Sequence, residues 1–310
     1  MEKDVVLSNY STFRIGGKAR YFIKVSDKEE LEKAIEKSLE LKIPFYVLGG
    51  GSNTLISDKG FNGLVIVFKK DKPDVSIEEK GDFGIIRVDA SALLSFLVGR
   101  LENFTGLEWA MGIPGTLGGA INGNAGAFGE SIGDCVESVE VLEVSKGVEK
   151  KEFKKKDCFF DYRTSVFKNN PRLIILSAKL KLKKGSKERI KERIKESLEK
   201  RRANPQGFSL GSVFKNHCGE FDKAVVKKYP RIKNFQEKKG FVPAGFLIEE
   251  CGLRGMKIGD AEISSQHANF IINLGKAKSE NVLKLMSLIK KEVKKKFLID
   301  LEEEIQIFSP

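Results

Sequence analysis

Two glycine clusters and three short polar groups carry most of the chemical information in this 310-residue chain. The first cluster is the Met111–Gly126 stretch, MGIPGTLGGAINGNAG, which is rich in glycine and contains no charged residue. Ordering it is entropically expensive, because glycine loses more backbone freedom on folding than any other residue. What it gains is close approach. Gly118-Gly119-Ala120 and Gly123-Asn124-Ala125-Gly126 leave main-chain N–H groups uncovered, and successive uncovered N–H groups form concave anion sites. Such residues equally favour tight turns between strands, and this stretch alone is compatible with either use. The second cluster, Gly49-Gly50-Gly51-Ser52-Asn53, directly follows the apolar run IPFYVL (43–48). A strand running into three glycines and two small hydrogen-bonding side chains suits a loop wrapped around a phosphate. It is not the dinucleotide fingerprint G-x-G-x-x-G, because Thr54 stands where the last glycine belongs. Nor is there a G-x-x-x-x-G-K-[ST] loop, since both Gly-Lys pairs, 17–18 and 275–276, are followed by alanine. A nucleotide ligand would therefore be held by a different kind of fold.

The polar groups come next. FFDYRTSVF (159–167) sets Tyr162 and Arg163 beside small hydroxyl residues, in a segment otherwise apolar enough to be buried. A salt-bridged surface arginine is the plain alternative. Gly211-Ser212-Val213-Phe214-Lys215-Asn216 is a compact set of small and polar groups. LEEEIQIF (301–308) places Glu302, Glu303 and Glu304 in a row, and strand alternation must send at least one of them to the opposite side from the others.

The elements that must position these groups follow from periodicity and punctuation. Ser26-x-x-Glu29 reads as a capping box, after which Leu31, Ala34, Ile35 and Leu39 give one apolar helix face. Residues 43–48, 63–68, 83–90, 136–144 and 173–182 read as strands, with a polar link over 69–82. Leu93, Leu94, Leu97, Val98 and Leu101 predict a helix leading into the glycine stretch. Residues 186–202 predict a basic helix with Ile190, Ile194 and Leu198 on its apolar side and a solvated charged face. It ends before Pro205, a hinge into another domain. Residues 244–255 read as a helix stopped by glycine, and 264–273 as a loop entering a strand. Val282, Leu285, Met286, Ile289 and Val293 form a further helix face, and 301–308 a terminal strand.

Composition narrows the class. Hydrophobic residues make up 41% and charged residues 32% of the chain, as expected of a folded protein. No run of eighteen apolar residues exists, so no membrane span is expected. The start, MEKDVVLSNYSTF, lacks the basic and apolar regions of a signal peptide. Cys135, Cys158, Cys218 and Cys251 are dispersed, and the histidines are His217 and His267. That argues against a metal site or disulfide framework and fits a reducing cytoplasm. The net charge of +12 would draw phosphate-bearing partners as well as solvent.

In sum the clusters resemble the UDP-N-acetylenolpyruvoylglucosamine reductases of bacterial cell-wall synthesis. The matching stretches are TFRIGG (12–17), LGGGSNTLISDKGFNGLVI (48–66), GLEWAMGIPGTLGGAINGNAGAFG (106–129), YRTSVF (162–167), GSVFKN (211–216), AGFLIEECGLRG (244–255), SSQHANFIIN (264–273) and LEEEIQIF (301–308). They occur in family order along nearly the whole chain. The resemblance implies an α+β protein: an FAD-binding unit of the vanillyl-alcohol-oxidase type in two subdomains, plus a smaller α+β substrate-binding domain. The implied boundaries are 1–69, joined by a C-terminal strand 301–310, then 70–185, then 186–300 for the substrate domain. It further implies FAD as cofactor, with NADPH as hydride donor. The sequence has no second dinucleotide fingerprint, which fits NADPH and substrate using one pocket in turn.

Carried over position by position, the resemblance assigns catalysis to Arg163, Ser212 and Glu304. FAD would be held by Gly49, Gly50, Gly51, Ser52, Asn53, Gly112, Ile113, Pro114, Gly115, Thr116, Gly118, Gly119, Asn124 and Gly126. Substrate contacts fall on Tyr162, Lys215, Asn216, Gln266 and His267. The implied substrate, a UDP-linked enolpyruvyl amino sugar, has a double bond that is electron-poor at its terminal carbon. Hydride addition there builds negative charge on the adjacent carbon and carboxylate. A fixed cation, Arg163, would stabilise it, Ser212 would return a proton, and Glu304 would support the enolate. Two departures stand out. His217 follows GSVFKN where the family usually has proline. The short interval from Arg163 to Ser212 and the long one from Asn216 to Gly245 point to different subclasses. Neither histidine lies in the 48–53 or 112–126 loops, whereas many flavin-dependent alcohol oxidases of this fold hold flavin covalently through histidine. A nucleic-acid binder would interleave aromatic and basic residues, but here the lysines fall mainly on amphipathic helices. No nucleic-acid or membrane partner is expected.

Overall fold

The computed structural model describes residues 1–70, 72–145 and 147–308. The chain divides into two compact units. The first comprises Met1–Val5, Ala19–Gly50 and Asn62–Ala203; the second comprises Val6–Lys18, Gly51–Phe61 and the chain from Asn204 on.

The first unit contains a sheet in the order Glu2–Val6, Lys18–Val25, Phe61–Phe68, Phe45–Leu48. Phe45–Leu48 runs parallel to Phe61–Phe68, with Phe45 opposite Leu64. A parallel pair needs a crossover elsewhere in the chain. The Lys28–Glu40 helix buries Leu31, Ala34 and Ile35 in the same core. Its cap lies one residue later than the Ser26–Glu29 reading. Asp27 accepts from the Glu30 N–H, and the Glu30 carboxylate reaches back to the N–H and hydroxyl of Ser26. A carboxylate at the cap meets the helix N-terminus with full charge, which a hydroxyl at 26 does not.

A larger antiparallel sheet has the order Val148–Lys154, Val136–Val144, Leu173–Lys184, Phe83–Asp89, Val75–Lys80. Phe104–Thr105 also pairs with Leu173–Lys184. Its two outermost strands escaped the sequence reading. Val75–Lys80 lies within the supposed link 69–82, and Val148–Lys154 was not anticipated. Both are edge strands with charged, largely exposed side chains, so the apolar alternation that marks a half-buried strand is missing. The inner strands are far more buried: Ile86 and Val88, and Val139 and Val141, are inside. Trp109, Leu97, Leu117 and Ile121 join them in one core.

The core of the second unit gathers Phe13, Ile15 and Leu55 with Phe214, Phe246, Leu247, Ile263 and Leu301. The Ser279–Phe297 helix adds Val282, Leu285, Met286, Ile289, Val293 and Phe297, five of which form the predicted face. Lys257–Ile258, Ala261–Ile263 and Ile271–Asn273 make an antiparallel sheet. The helix read over 244–255 is shorter, Ala244–Glu250, and Gly252 at φ +72° ends it sooner than Gly255. The terminal strand narrows to Gln306–Phe308, parallel to Thr54–Ile56 with Gln306 opposite Thr54. Of the C-terminal strand expected over 301–310, residues 309–310 lie outside the described residues.

Leu97 is fully buried. Leu97→Ala should cost about 2–5 kcal/mol through lost transfer energy and a residual cavity, read as a lower midpoint in denaturant unfolding of the first unit.

Candidate active site

In the first unit the two glycine-rich stretches meet through their backbones. A Cβ on Gly50 would lie 2.5 Å from the Cα of Gly115, and one on Gly49 would lie 2.7 Å from the Thr116 hydroxyl. Main chain cannot yield as a side-chain tip can, so any larger residue at position 50 must displace Gly115. Thr116 caps the Leu117–Asn122 helix by accepting from the Gly119 N–H at 3.3 Å. Residues 90–94 run antiparallel along 115–118. Leu94 N–H donates to the Gly115 carbonyl, Leu117 N–H to Ala92, and Gly118 N–H to Ala90. Within this layer the Ser91 hydroxyl is buried and has no hydrogen-bond partner in the protein. Ile113 N–H returns to the Ala110 carbonyl, and Gly112 packs against Leu198 and Arg201.

The Lys187–Arg202 helix is more than a solvated charge run. Arg201 donates to the carbonyls of Trp109 (2.7 Å) and Met111 (3.0 Å), immediately before Gly112. Arg193 pairs with Glu130 at 2.6 Å and with the buried Glu108 at 3.4 Å. Of the predicted apolar positions Ile190 is buried, whereas Leu198 is exposed.

Arg163 belongs to the same unit. It occupies the left-handed region at φ +55°, unusual for a non-glycine residue. It sits in a turn closed by reciprocal backbone hydrogen bonds between Asp161 and Thr164. Its Nη2 donates to the Gly126 carbonyl at 2.8 Å, and its guanidinium lies 5.6 Å from the Tyr162 ring centre. The segment is less buried than its composition suggested: Phe159 and Tyr162 are exposed, while Ser165 and Phe167 are buried. Phe159 is turned outward by its own left-handed conformation, φ +46°.

The second unit brings Ser212, Lys215 and Glu304 together through strand-like pairing on both sides of residues 212–215. On one side Ser212 bridges Phe270, and Asn269 clamps the segment. Its Oδ1 accepts from the Phe214 N–H at 3.0 Å, its Nδ2 donates to the Phe214 carbonyl at 2.8 Å, and its own carbonyl accepts from Val213. On the other side Phe214 bridges Glu303, Lys215 N–H donates to the Glu302 carbonyl, and Glu304 N–H donates to Val213. Alternation divides the glutamates as expected: Glu302 pairs with Lys215 at 3.1 Å and Glu303 with Lys290 at 2.8 Å. Asn53 donates from Nδ2 to the Glu304 carbonyl at 3.2 Å and accepts from Gln306 N–H through its own carbonyl. Gly51, at φ +60°, passes so close to Tyr10 that a Cβ would lie 2.0 Å from that carbonyl oxygen. Asn216 accepts from Ala244 N–H, fixing the start of the Ala244–Glu250 helix.

The His267 ring packs beside Gly245 of that helix. Burial holds its imidazole below the ordinary value, so the ring is neutral and Nδ1 accepts from the Asn269 N–H at 3.2 Å. It thereby steadies the residue that clamps Phe214. Gln266 is exposed, its N–H donating to Ser264. Asn269 is the residue that holds this segment and that the sequence pattern does not single out. Its signal was a lone carboxamide in an apolar run, ANFII, but its partner lies 55 positions away.

The first unit also carries concavities of about 350 and 690 Å³ on the outer face of the larger sheet. Their lysines are largely paired, Lys28 with Glu140 and Lys179 with Glu152. The glycine stretches do not line them.

A wall of glycine-rich main chain, next to a buried hydroxyl without a partner in the protein, fits a flat dinucleotide such as FAD. A profile of the FAD-binding domain family matches residues 19–150, and the protein is an FAD-dependent oxidoreductase. The C-terminal domain of UDP-N-acetylenolpyruvoylglucosamine reductase matches residues 204–308. The chain is 38% identical to the UDP-N-acetylenolpyruvoylglucosamine reductase of Prochlorococcus marinus (strain NATL2A), over 99% of this chain and 97% of the relative. It is 38% identical to that of Caldicellulosiruptor bescii, over 98% and 89%. The crystal structure of UDP-N-acetylenolpyruvylglucosamine reductase from Thermus caldophilus is similar at a TM-score of 0.77 and 32% identity, covering 98% of each chain. The chain belongs to the UDP-N-acetylenolpyruvoylglucosamine reductase family.

Two outcomes follow from this geometry. Gly50→Ala should fold but lose most of its flavin, read as the FAD-to-protein ratio after purification, because the added carbon must push Gly115 away. For Glu303, burial is the largest single influence and would raise the carboxyl pKa, but the Lys290 hydrogen bond, a backbone hydrogen bond and the charge of Lys290 together outweigh it, and the net shift is downward. Its folded pKa therefore lies below its unfolded one. The contribution is present above the ordinary carboxylate range and is lost as pH falls through the folded value. Glu303→Gln should flatten that part of the acid-unfolding profile, with only a small change at neutral pH because the pair is partly exposed.

Proposed function

We propose that this protein reduces UDP-N-acetylenolpyruvoylglucosamine to UDP-N-acetylmuramate, a step in peptidoglycan precursor synthesis, in the cytoplasm and with NADPH as electron source. The observation that carries this reading is the 38% identity, over nearly the full length, to reductases of that name. When bound, FAD supplies hydride to the terminal enolpyruvyl carbon. Flavin is assigned to the backbone of residues 49–53, 112–119 and 126.

The remaining chemistry falls to the chain's own residues. Hydride addition leaves negative charge on the neighbouring carbon and its carboxylate. The Arg163 guanidinium is assigned to that charge. A cation held in place by its own backbone and by Gly126 need not reorganise as charge develops. Ser212 is assigned as proton donor to the carbon. Lys215, three residues along the same strand-like segment, is assigned to make a transient alkoxide less costly. Glu304, whose N–H donates to the Val213 carbonyl, is assigned to the enolate, either as a neutral acid donating a hydrogen bond or by orienting the arginine. Tyr162, Asn216, Gln266 and His267 are assigned to the sugar substrate, Asn216 and His267 by shaping its surroundings. NADPH and the sugar are assigned to one pocket, used in turn.

Anaerobic reduction with NADPH, followed by addition of the enolpyruvyl nucleotide sugar, should give flavin bleaching and then reoxidation. Failure of the sugar to reoxidise the flavin would overturn the reading. Ser212→Ala should leave bleaching near normal and slow reoxidation by about 10²–10⁴, the usual weight of a general acid. Arg163→Ala should likewise impair the second half-reaction alone; equal loss of both would move it out of this role.

A further inference from the structure

Asn124 lies in the glycine-rich stretch, in the left-handed region at φ +43°, and is buried. A carboxamide there looks like a flavin contact, yet its side chain is engaged elsewhere. Oδ1 accepts from the Gly133 N–H at 3.0 Å and Nδ2 donates to the Asp161 carbonyl at 2.8 Å. The partners fix the orientation of the amide, because an N–H can only be accepted by its oxygen and a carbonyl can only receive from its nitrogen.

The Asp161 carbonyl is the closing group of the turn that carries Arg163. It also accepts from the Thr164 N–H at 3.1 Å, so both of its lone pairs are used. Two further side-chain bonds tie the turn to the glycine stretch: Ser165 Oγ donates to the Asn122 carbonyl at 2.7 Å, and Arg163 Nη2 to Gly126 at 2.8 Å. Arg163 itself is in a backbone conformation that a residue with a Cβ leaves readily unless its surroundings over-determine it. Release of that conformation would swing the guanidinium away from its present line.

We infer that Asn124 is a positioning residue for Arg163: by holding the Asp161 carbonyl it fixes the strained turn, and with it the direction of the guanidinium. The inference rests on the assignment of Arg163 to the substrate half-reaction. It places the effect of Asn124 there and not in flavin retention.

Asn124→Asp separates the two bonds. A carboxylate still accepts from Gly133 but sets oxygen against oxygen at Asp161, breaking that bond alone. In the holoenzyme, FAD content and bleaching by NADPH should match wild type. Hydrogen exchange of the Thr164 amide should rise. Reoxidation by the enolpyruvyl sugar should fall about a hundredfold, the usual consequence of misplacing a group by about 1 Å. Adding Asn124→Asp to Arg163→Ala should bring no further loss, since no guanidinium remains to be aimed. Should Asn124→Asp misfold, Asn124→Ala is carried through the same four measurements with the same expected outcomes. Loss of FAD, equal slowing of both half-reactions, or losses that add in the double variant would overturn the inference. Wild-type reoxidation in Asn124→Asp beside an impaired Arg163→Ala overturns the inference alone. A harmless Arg163→Ala overturns the Arg163 assignment and the inference with it.

Discussion

Backbone against backbone, Gly50 on Gly115, is the contact on which the meeting of the first unit's two glycine stretches depends. Side chains normally keep two segments of main chain apart. Here their absence lets two strand ends and the 90–94 layer form a wall of peptide groups. Peptide dipoles in such a wall are fixed by the fold and do not have to reorganise around a ligand. The conformational entropy lost in ordering so much glycine is offset by the core immediately behind it, where Trp109, Leu117 and Ile121 are fully buried.

The second unit is built differently: the role proposed for Ser212 asks that a small hydroxyl side chain be held steady. Ser212 has one rotatable bond to its oxygen, so its position is set almost wholly by backbone. The neighbouring residues are accordingly gripped from both sides, by Asn269 and by the 302–304 segment. A buried amide that satisfies a donor and an acceptor of one residue fixes its peptide planes as a strand neighbour would. His267, kept neutral by burial, contributes a ring acceptor to the same network.

What the sequence disclosed and what it withheld divide along physical lines. The glycine clusters were legible because close backbone approach has few substitutes for glycine. The amphipathic helix over 279–297 was legible because its period is local. The edge strands Val75–Lys80 and Val148–Lys154 were not, since a strand exposed on its charged face carries no apolar alternation. The role of Asn269 and the left-handed backbone of Arg163 were hidden for another reason: both are set by partners remote in sequence, or by a turn that nothing in YRTS announces. Phe159 misled in the opposite direction, an aromatic side chain in an apolar run that its own φ turns to solvent.

The two arginines of the Lys187–Arg202 helix have a consequence for anyone altering the protein's surface. Arg201 uses its planar fork to hold the carbonyl groups of Trp109 and Met111, and Arg193 spans two carboxylates. Exchanging them for lysine would leave the isoelectric point nearly untouched, yet a single ammonium cannot reproduce either grip. Charge engineering guided by net charge alone would therefore loosen the glycine stretch without any warning from the titration curve.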